Sequence, residues 1–178
     1  MQTNVGNIKI ELYPQHAPET VDNFIFLVES GYYNDKIFHR VIEDFMIQAG
    51  GITKEGLSDD VGYFISDEIN PISLGLSKDE IVALEKQGYR FTLDLQSIPL
   101  ERGVLGMANR GPSTSNCQFF IVTAEEGTPW LNGRHTAFGR VIKGMEVVDK
   151  ISRQETNEGD RPIRRMIIRR AYTTRWPW

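Results

Sequence analysis

The stretch Ile37 to Gly51 constrains the fold more than any other part of the chain. Ile-Phe-His-Arg-Val-Ile (37–42) is β-branched and aromatic, and Phe-Met-Ile-Gln-Ala (45–49) follows a polar Glu43-Asp44 corner. That pattern predicts two strands around a tight turn. Alternation then puts Phe38, Arg40 and Ile42 on one face, and His39 and Val41 on the other. An arginine inside such an apolar run is costly to bury without a partner or a task. Taken alone, an Arg40 that faces solvent on a half-exposed strand is the simpler account.

The rest of the chain reads as strands with few helices. Val5 to Tyr13 alternates as a first strand. A helix begins at Pro18, a residue suited to the first helical position, carries a stripe of Val21, Phe24, Ile25 and Val28, and ends at Gly31. His16 falls in the loop before it. Gly50-Gly51 and the polar run to Asp60 read as a loop, and Tyr63 to Ile65 as a short strand. Ser77-Lys78-Asp79-Glu80 is a capping box that opens a second helix, which Gly88 can end. Phe91, Leu93 and Leu95 then alternate like a strand. Further strands are expected over Gly103 to Ala108, Phe119 to Thr123, Thr136 to Ile142 and Pro162 to Ala171, with a short helix over Met145 to Ile151. The fold class expected is mainly β.

The chain of 178 residues is long enough for one domain, 1–178, with its own core. A net charge of −4 argues against general nucleic-acid binding. Residues 55 to 101 lean acidic, and the arginine-rich run from Arg161 to Arg175 reads as a solvated strand face. Cys117 is the single cysteine, so no internal disulfide can form. No apolar run is long enough to span a membrane. No signal peptide precedes the first strand. The location is therefore cytoplasmic if Met1 is the natural start, and periplasmic if an export signal has been removed. His16, His39 and His135 lack metal-ligand spacing, so neither a metal nor a cofactor is expected.

Four blocks in order give Arg40 its company. Phe38-His39-Arg40-Val41-Ile42 with Phe45-Met46-Ile47-Gln48 is followed by Gly106-Met107-Ala108-Asn109, Gln118-Phe119-Phe120-Ile121 and Trp130-Leu131-Asn132-Gly133-Arg134-His135. Over about Gly6 to Ala171 the chain resembles the cyclophilins, a family of peptidyl-prolyl cis-trans isomerases, with a bacterial look. The resemblance implies a closed eight-stranded antiparallel barrel capped by two helices, and marks Pro71 to Pro99 as an insertion carrying an extra helix. It implies an enzyme that rotates Xaa-Pro bonds in unfolded or flexible polypeptides, assists folding, binds cyclosporin and acts as a monomer.

Such chemistry needs no nucleophile. The barrier is about 18–20 kcal/mol because the C–N bond has partial double-bond character. In the twisted amide the nitrogen lone pair is no longer delocalised and accepts a hydrogen bond better. A guanidinium aimed there or at the carbonyl oxygen binds the transition state more strongly than the planar amide. Arg40 is the catalytic candidate. By resemblance Phe45, Met46, Phe120, Leu131 and His135 form the proline pocket, and Gln48 and Asn109 hold the substrate backbone, Asn109 through its main chain beside Ala108. Gln118 orients Arg40 or touches the peptide, and Trp130 lines the groove edge. Phe38 and Phe138 are supporting core, and His39 a structural histidine on the opposite strand face.

Lys54 to Asp60 replaces a glycine-rich loop common in the family, and Arg110 stands where smaller residues are usual, where it can gate a neighbouring pocket. The insertion is read first as a surface addition packed on the body's edge, and alternatively as a wall that lengthens the groove. Two other functions compete: a proline-peptide binding module without catalysis, and a hydrolase using Cys117 with His135. The second is disfavoured because nothing in the sequence activates Cys117.

Overall fold

The computed structural model describes residues 1–174. Its eight strands are β1 (Gln2–Thr3), β2 (Lys9–Leu12), β3 (Lys36–Ile42), β4 (Met46–Thr53), β5 (Val104–Met107), β6 (Phe119–Val122), β7 (Ala137–Lys143) and β8 (Ile167–Arg170). They form one antiparallel sheet in the order β1-β8-β3-β4-β6-β5-β7-β2. The sheet curls around one apolar cluster that takes Phe38, Ile47, Leu105, Phe119, Ile121, Phe138 and Ile168 from six strands. Its outermost strands meet at an isolated Gln2–Asn7 bridge and at a bond from Ile8 N–H to the Met1 carbonyl (2.9 Å), without a β1–β2 ladder.

Helices α1 (Pro18–Glu29) and α3 (Met145–Ser152) pack on the interior cluster. Pro18 stands in the first turn of α1, and Val21, Phe24, Leu27 and Val28 are buried. The Phe24 ring meets that of Phe119 edge-on at 5.3 Å. From α3, Val147, Val148 and Ile151 are buried. Helix α2 (Lys78–Lys86) lies in the insertion; both halves of the Ser77–Glu80 capping box form, and Leu84 is its buried residue.

Several expectations need correction. The strict alternation expected of β3 is broken by irregular register between Phe38 and Arg40. An extra residue in a strand shifts its faces. Phe38 and Val41 therefore both enter the interior cluster, while Ile42 packs on a second cluster. Gly50 and Gly51 are not loop but part of β4. Both have positive φ, and a Cβ on Gly51 would fall within 3.2 Å of three Gln118 side-chain atoms, so the strand can pass Gln118 closely only with glycine here. Phe91 to Leu95 is not a strand: Asn70 Nδ2 donates to the carbonyls of Leu93 (3.0 Å) and Leu95 (2.7 Å) and holds the segment in a coil. Tyr63 to Ile65 contributes a single bridge, Ile65–Ser115. The last strand is shorter than expected, because Pro162 pairs with Thr156 instead. Arg175, at the end of the arginine-rich run, lies outside the described residues.

Candidate active site

Cross-strand pairing assembles the site on the outer face of the sheet. Arg40 on β3 pairs with Gln48 on β4, Gln48 with Phe120 on β6, and Phe120 with Gly106 on β5. Directly paired residues share a face. Arg40, Gln48 and Phe120 thus stand in one row, away from the interior. Two residues along, Ile42 pairs with Met46 and Met46 with Val122. Met46, Phe120, Val122 and Val104 form a second apolar cluster, with Phe45, Ala108 and Leu131 packed against it.

The pocket residues named from the sequence gather around the Phe120 ring. The His135 ring stands at right angles to it, with centroids 5.3 Å apart. The tip of the Phe120 ring lies on Gly106, where a Cβ would fall within 2.9 Å of three ring carbons. Phe45 sits in the β3–β4 turn with its ring 6.0 Å from that of Trp130, which is 60% exposed on the 3-10 turn Pro129–Leu131. His135 Nδ1–H donates to the Met107 carbonyl (2.9 Å), so Nε2 is the unprotonated nitrogen when the ring is neutral. Burial lowers the His135 pKa.

Polar side chains stand beside this cluster. Gln48 Nε2 donates to Gln118 Oε1 (2.8 Å). Gln118 therefore braces Gln48, rather than orienting Arg40 by a direct bond. Asn109 is committed on both sides of its amide: Nδ2 donates to the Arg134 carbonyl (2.8 Å) and Oδ1 accepts from Gly111 N–H (3.3 Å). Ala108 N–H donates to the Gln118 carbonyl (2.9 Å), fixing the start of that segment beside β6.

Arg40 is held by a residue that the sequence reading missed. Asp160 Oδ2 accepts from Arg40 Nε (3.2 Å), and the two side chains are 43% and 42% exposed. Asp160 has positive φ (58°), and its carbonyl accepts from Val41 N–H (2.8 Å), so the 157–160 turn is tied to β3 at two points. The pairing occupies Nε and leaves the terminal nitrogens to donate. The turn signature Asn157-Glu158-Gly159-Asp160 was visible, but nothing local in it points to Arg40.

His39 is also corrected. It does not lie on the opposite face: it interacts with the Gln118 side chain, beside Arg40. Burial, reinforced by the charges of Arg161 and Arg40, lowers its pKa to about 4, and its buried Nδ1 has no hydrogen-bond partner among the described residues. Unfolded, it would titrate near 6.5. The unfolded chain then binds more protons between these values, so stability is complete above about pH 6.5 and falls as pH drops toward 4. We expect a thermal midpoint that declines across this window, and a flatter decline in His39→Asn. Superimposable profiles would refute the assignment.

Cys117 is buried, burial raises its pKa, and Tyr32 Oη–H donates to its sulfur (3.2 Å). Cys117 packs in the interior cluster, whereas His135 stands against Phe120 of the second cluster, so the fold does not assemble the two as a nucleophile and its base. Phe38 and Phe138 are fully buried core, as expected. No helix among the described residues is long and apolar enough to cross a membrane.

An arginine paired in one row with Gln48 and Phe120 on a curled antiparallel sheet, with Met46, Phe45 and Leu131 clustered about that ring, is the arrangement expected of the cyclophilin class. The family model for cyclophilin-type peptidyl-prolyl cis-trans isomerases matches residues 1–173. The chain is 42% identical over 171 residues to peptidyl-prolyl cis-trans isomerase-like 1 of Aspergillus fumigatus, covering 95% of this chain and 90% of the relative. It is 42% identical over 171 residues to the isomerase ppi1 of Schizosaccharomyces pombe (96% and 95% covered), and 39% identical over 174 residues to the human isomerase-like 1 (97% and 89%). A Cryptosporidium parvum cyclophilin-type isomerase superposes with a TM-score of 0.74 at 28% identity, over 99% of this chain and 96% of that one. The chain belongs to the cyclophilin-type peptidyl-prolyl cis-trans isomerase family, and its activity is the rotation of Xaa-Pro peptide bonds. The named relatives are fungal, mammalian and protozoan, so they lend no support to the bacterial look of the sequence.

Proposed function

We propose that Arg40 is the catalytic donor of this isomerase, that the proline ring seats on Phe120 among Phe45, Met46, Leu131 and His135, and that Gln48, Gln118 and the Ala108–Asn109 main chain hold the flanking peptide. Trp130 edges the groove. The single observation that supports this is the Arg40–Gln48–Phe120 row, in which the charged and the aromatic residue share one sheet face across adjacent strands. The edge bridge at Gln2–Asn7 favours a sheet that closes as a barrel around one domain. The substrates are unfolded or flexible proline-containing chains, which makes the protein a folding helper acting as a monomer. The binding-module alternative is disfavoured because Arg40 and the full pocket set are present together.

Cyclosporin is expected to compete for the same hollow, since it would cover Phe120 and Trp130. The test is isomerisation of a proline tetrapeptide titrated with cyclosporin, with Trp130 fluorescence as a second readout. Turnover abolished at saturation, with a change in fluorescence, is the expected outcome. Turnover that persists while fluorescence responds would place catalysis away from the hollow.

A further inference from the structure

The insertion is a tied lobe rather than a loose loop. Asn70 N–H donates to Ser97 Oγ (2.8 Å) and Ser97 N–H to Ser73 Oγ (2.9 Å), so its two ends are joined across their base. Asn70 Oδ1 accepts from the N–H groups of Ile72 (3.0 Å) and Ser73 (3.2 Å), while its Nδ2 holds the coil at Leu93 and Leu95. Asn70 and Ser97 are both buried. Past the end of α2, the N–H of buried Tyr89 returns to the Leu84 carbonyl (3.2 Å). A segment tied in this way can fix the position of whatever it touches, which a fraying one cannot.

What the lobe touches is the loop that carries Trp130, Leu131 and His135. Leu84 from α2 and Leu76 before it close on Gly133, where a Cβ would meet their methyl carbons at 2.7 and 2.8 Å. Gly133 is buried and has a φ of +80°, so both the space and the backbone call for glycine. Arg134 Nη1 donates to Gln87 Oε1 at the C-terminal cap of α2 (2.7 Å). Leu100, the residue after the insertion, donates its N–H to Asn132 Oδ1 (3.0 Å). Its carbonyl accepts from both the N–H (2.8 Å) and the hydroxyl (3.1 Å) of Thr128. His135, by contrast, is fixed to the sheet through the Met107 carbonyl. The loop is thus anchored to the sheet at its end and rests on the insertion at Asn132 to Arg134, next to Leu131.

We infer that the insertion is an internal splint for the proline pocket: Leu84, with Leu76 and Gln87, positions Leu131 and His135 through Gly133 and Arg134, so residues that never touch the peptide set how tightly it is held. This role deepens the isomerase reading and rests on it, since Leu131 and His135 are walls of the proposed pocket. A wall that grips the proline ring holds planar and twisted amides alike. Displacing it therefore weakens binding of the ground state and the transition state together, which raises KM and leaves kcat.

The test uses the full chain and a proline tetrapeptide, with Kd read by chemical-shift titration and turnover by exchange spectroscopy across peptide concentrations. Leu84→Ala is expected to raise Kd and KM together by about three- to tenfold, the range of coupling carried through packed side chains, with kcat near that of the wild type. Leu84→Met, which conserves volume, should restore both. Gln87→Ala, a change at an exposed residue, should raise both to a smaller extent, and it decides the matter where Leu84→Ala does not fold. Val148→Ala, buried in α3 on the interior cluster, is the control for stability and should leave Kd and KM unchanged when compared at an equal loss of thermal stability. Wild-type Kd and KM in both α2 variants overturn the splint. An equal rise in Val148→Ala overturns it too, since that marks a general loss of stability. A wild-type chain that binds the peptide without turning it over sinks the isomerase reading, and the Kd comparison still decides the splint.

Discussion

Arg40→Ala is expected to lower kcat/KM by about 10²–10³, the loss typical of removing one pre-positioned donor from a developing charge. The reasoning starts from what the reaction lacks. No bond is made or broken, so the barrier falls only through contacts that strengthen as the amide twists. In the proposed site the apolar floor of Phe120, Met46 and Leu131 would hold the ring in both planar and twisted states and would not discriminate between them. Arg40 would, because its fork would reach an acceptor whose basicity rises during rotation. The loss should therefore fall on kcat, with a smaller change in peptide affinity. Arg40→Lys should rescue little, since an ammonium lacks the planar fork and cannot keep an Nε bond to Asp160 while donating elsewhere. Asp160→Asn retains an acceptor but removes its charge, and should give an intermediate rate. Equal kcat for wild type and Arg40→Ala would return the protein to the binding-module class.

How far the sequence already pointed to this site varies from residue to residue. The β3 and β4 strands were legible because their apolar, β-branched runs are strong and local. So were α1 and α2, whose Pro18 start and Ser77–Glu80 box declare their own ends. The face of His39 was not legible, because a one-residue irregularity in pairing depends on the partner strand and leaves no mark in β3 itself. Phe91 to Leu95 alternates as a strand would, yet finds no partner edge; the Asn70 side chain takes its carbonyls instead. Asp160 lies 120 residues from Arg40, and only the folded turn brings the two together. Residues recognised as a set were brought together by the fold, whereas the groups that orient them are long-range and had to be seen.

Gly106→Val should cost more activity than stability. Gly106 lies within β5 and its φ is not positive, so the backbone itself accepts a side chain. The obstacle is the Phe120 ring: three of its carbons come within 2.9 Å of where a Cβ would stand. A ring that close must lift or swing, and in the proposed site any such movement alters the surface on which proline would seat. Overpacking of this sort costs about 1–3 kcal/mol where the neighbour cannot yield. The stability cost should fall in that range. Catalysis should suffer more, because a displaced ring no longer offers the surface proposed for proline. The expected outcome is a rise in KM and a fall in kcat/KM of at least about tenfold, with Gly106→Ala intermediate. Nuclear Overhauser contacts between Phe120 and His135 report the ring directly, and their loss alongside activity is the predicted signature. Wild-type turnover in Gly106→Val with those contacts gone would show that proline seats elsewhere. Unchanged contacts with lost turnover would show that the ring never moved and that Gly106 matters for another reason.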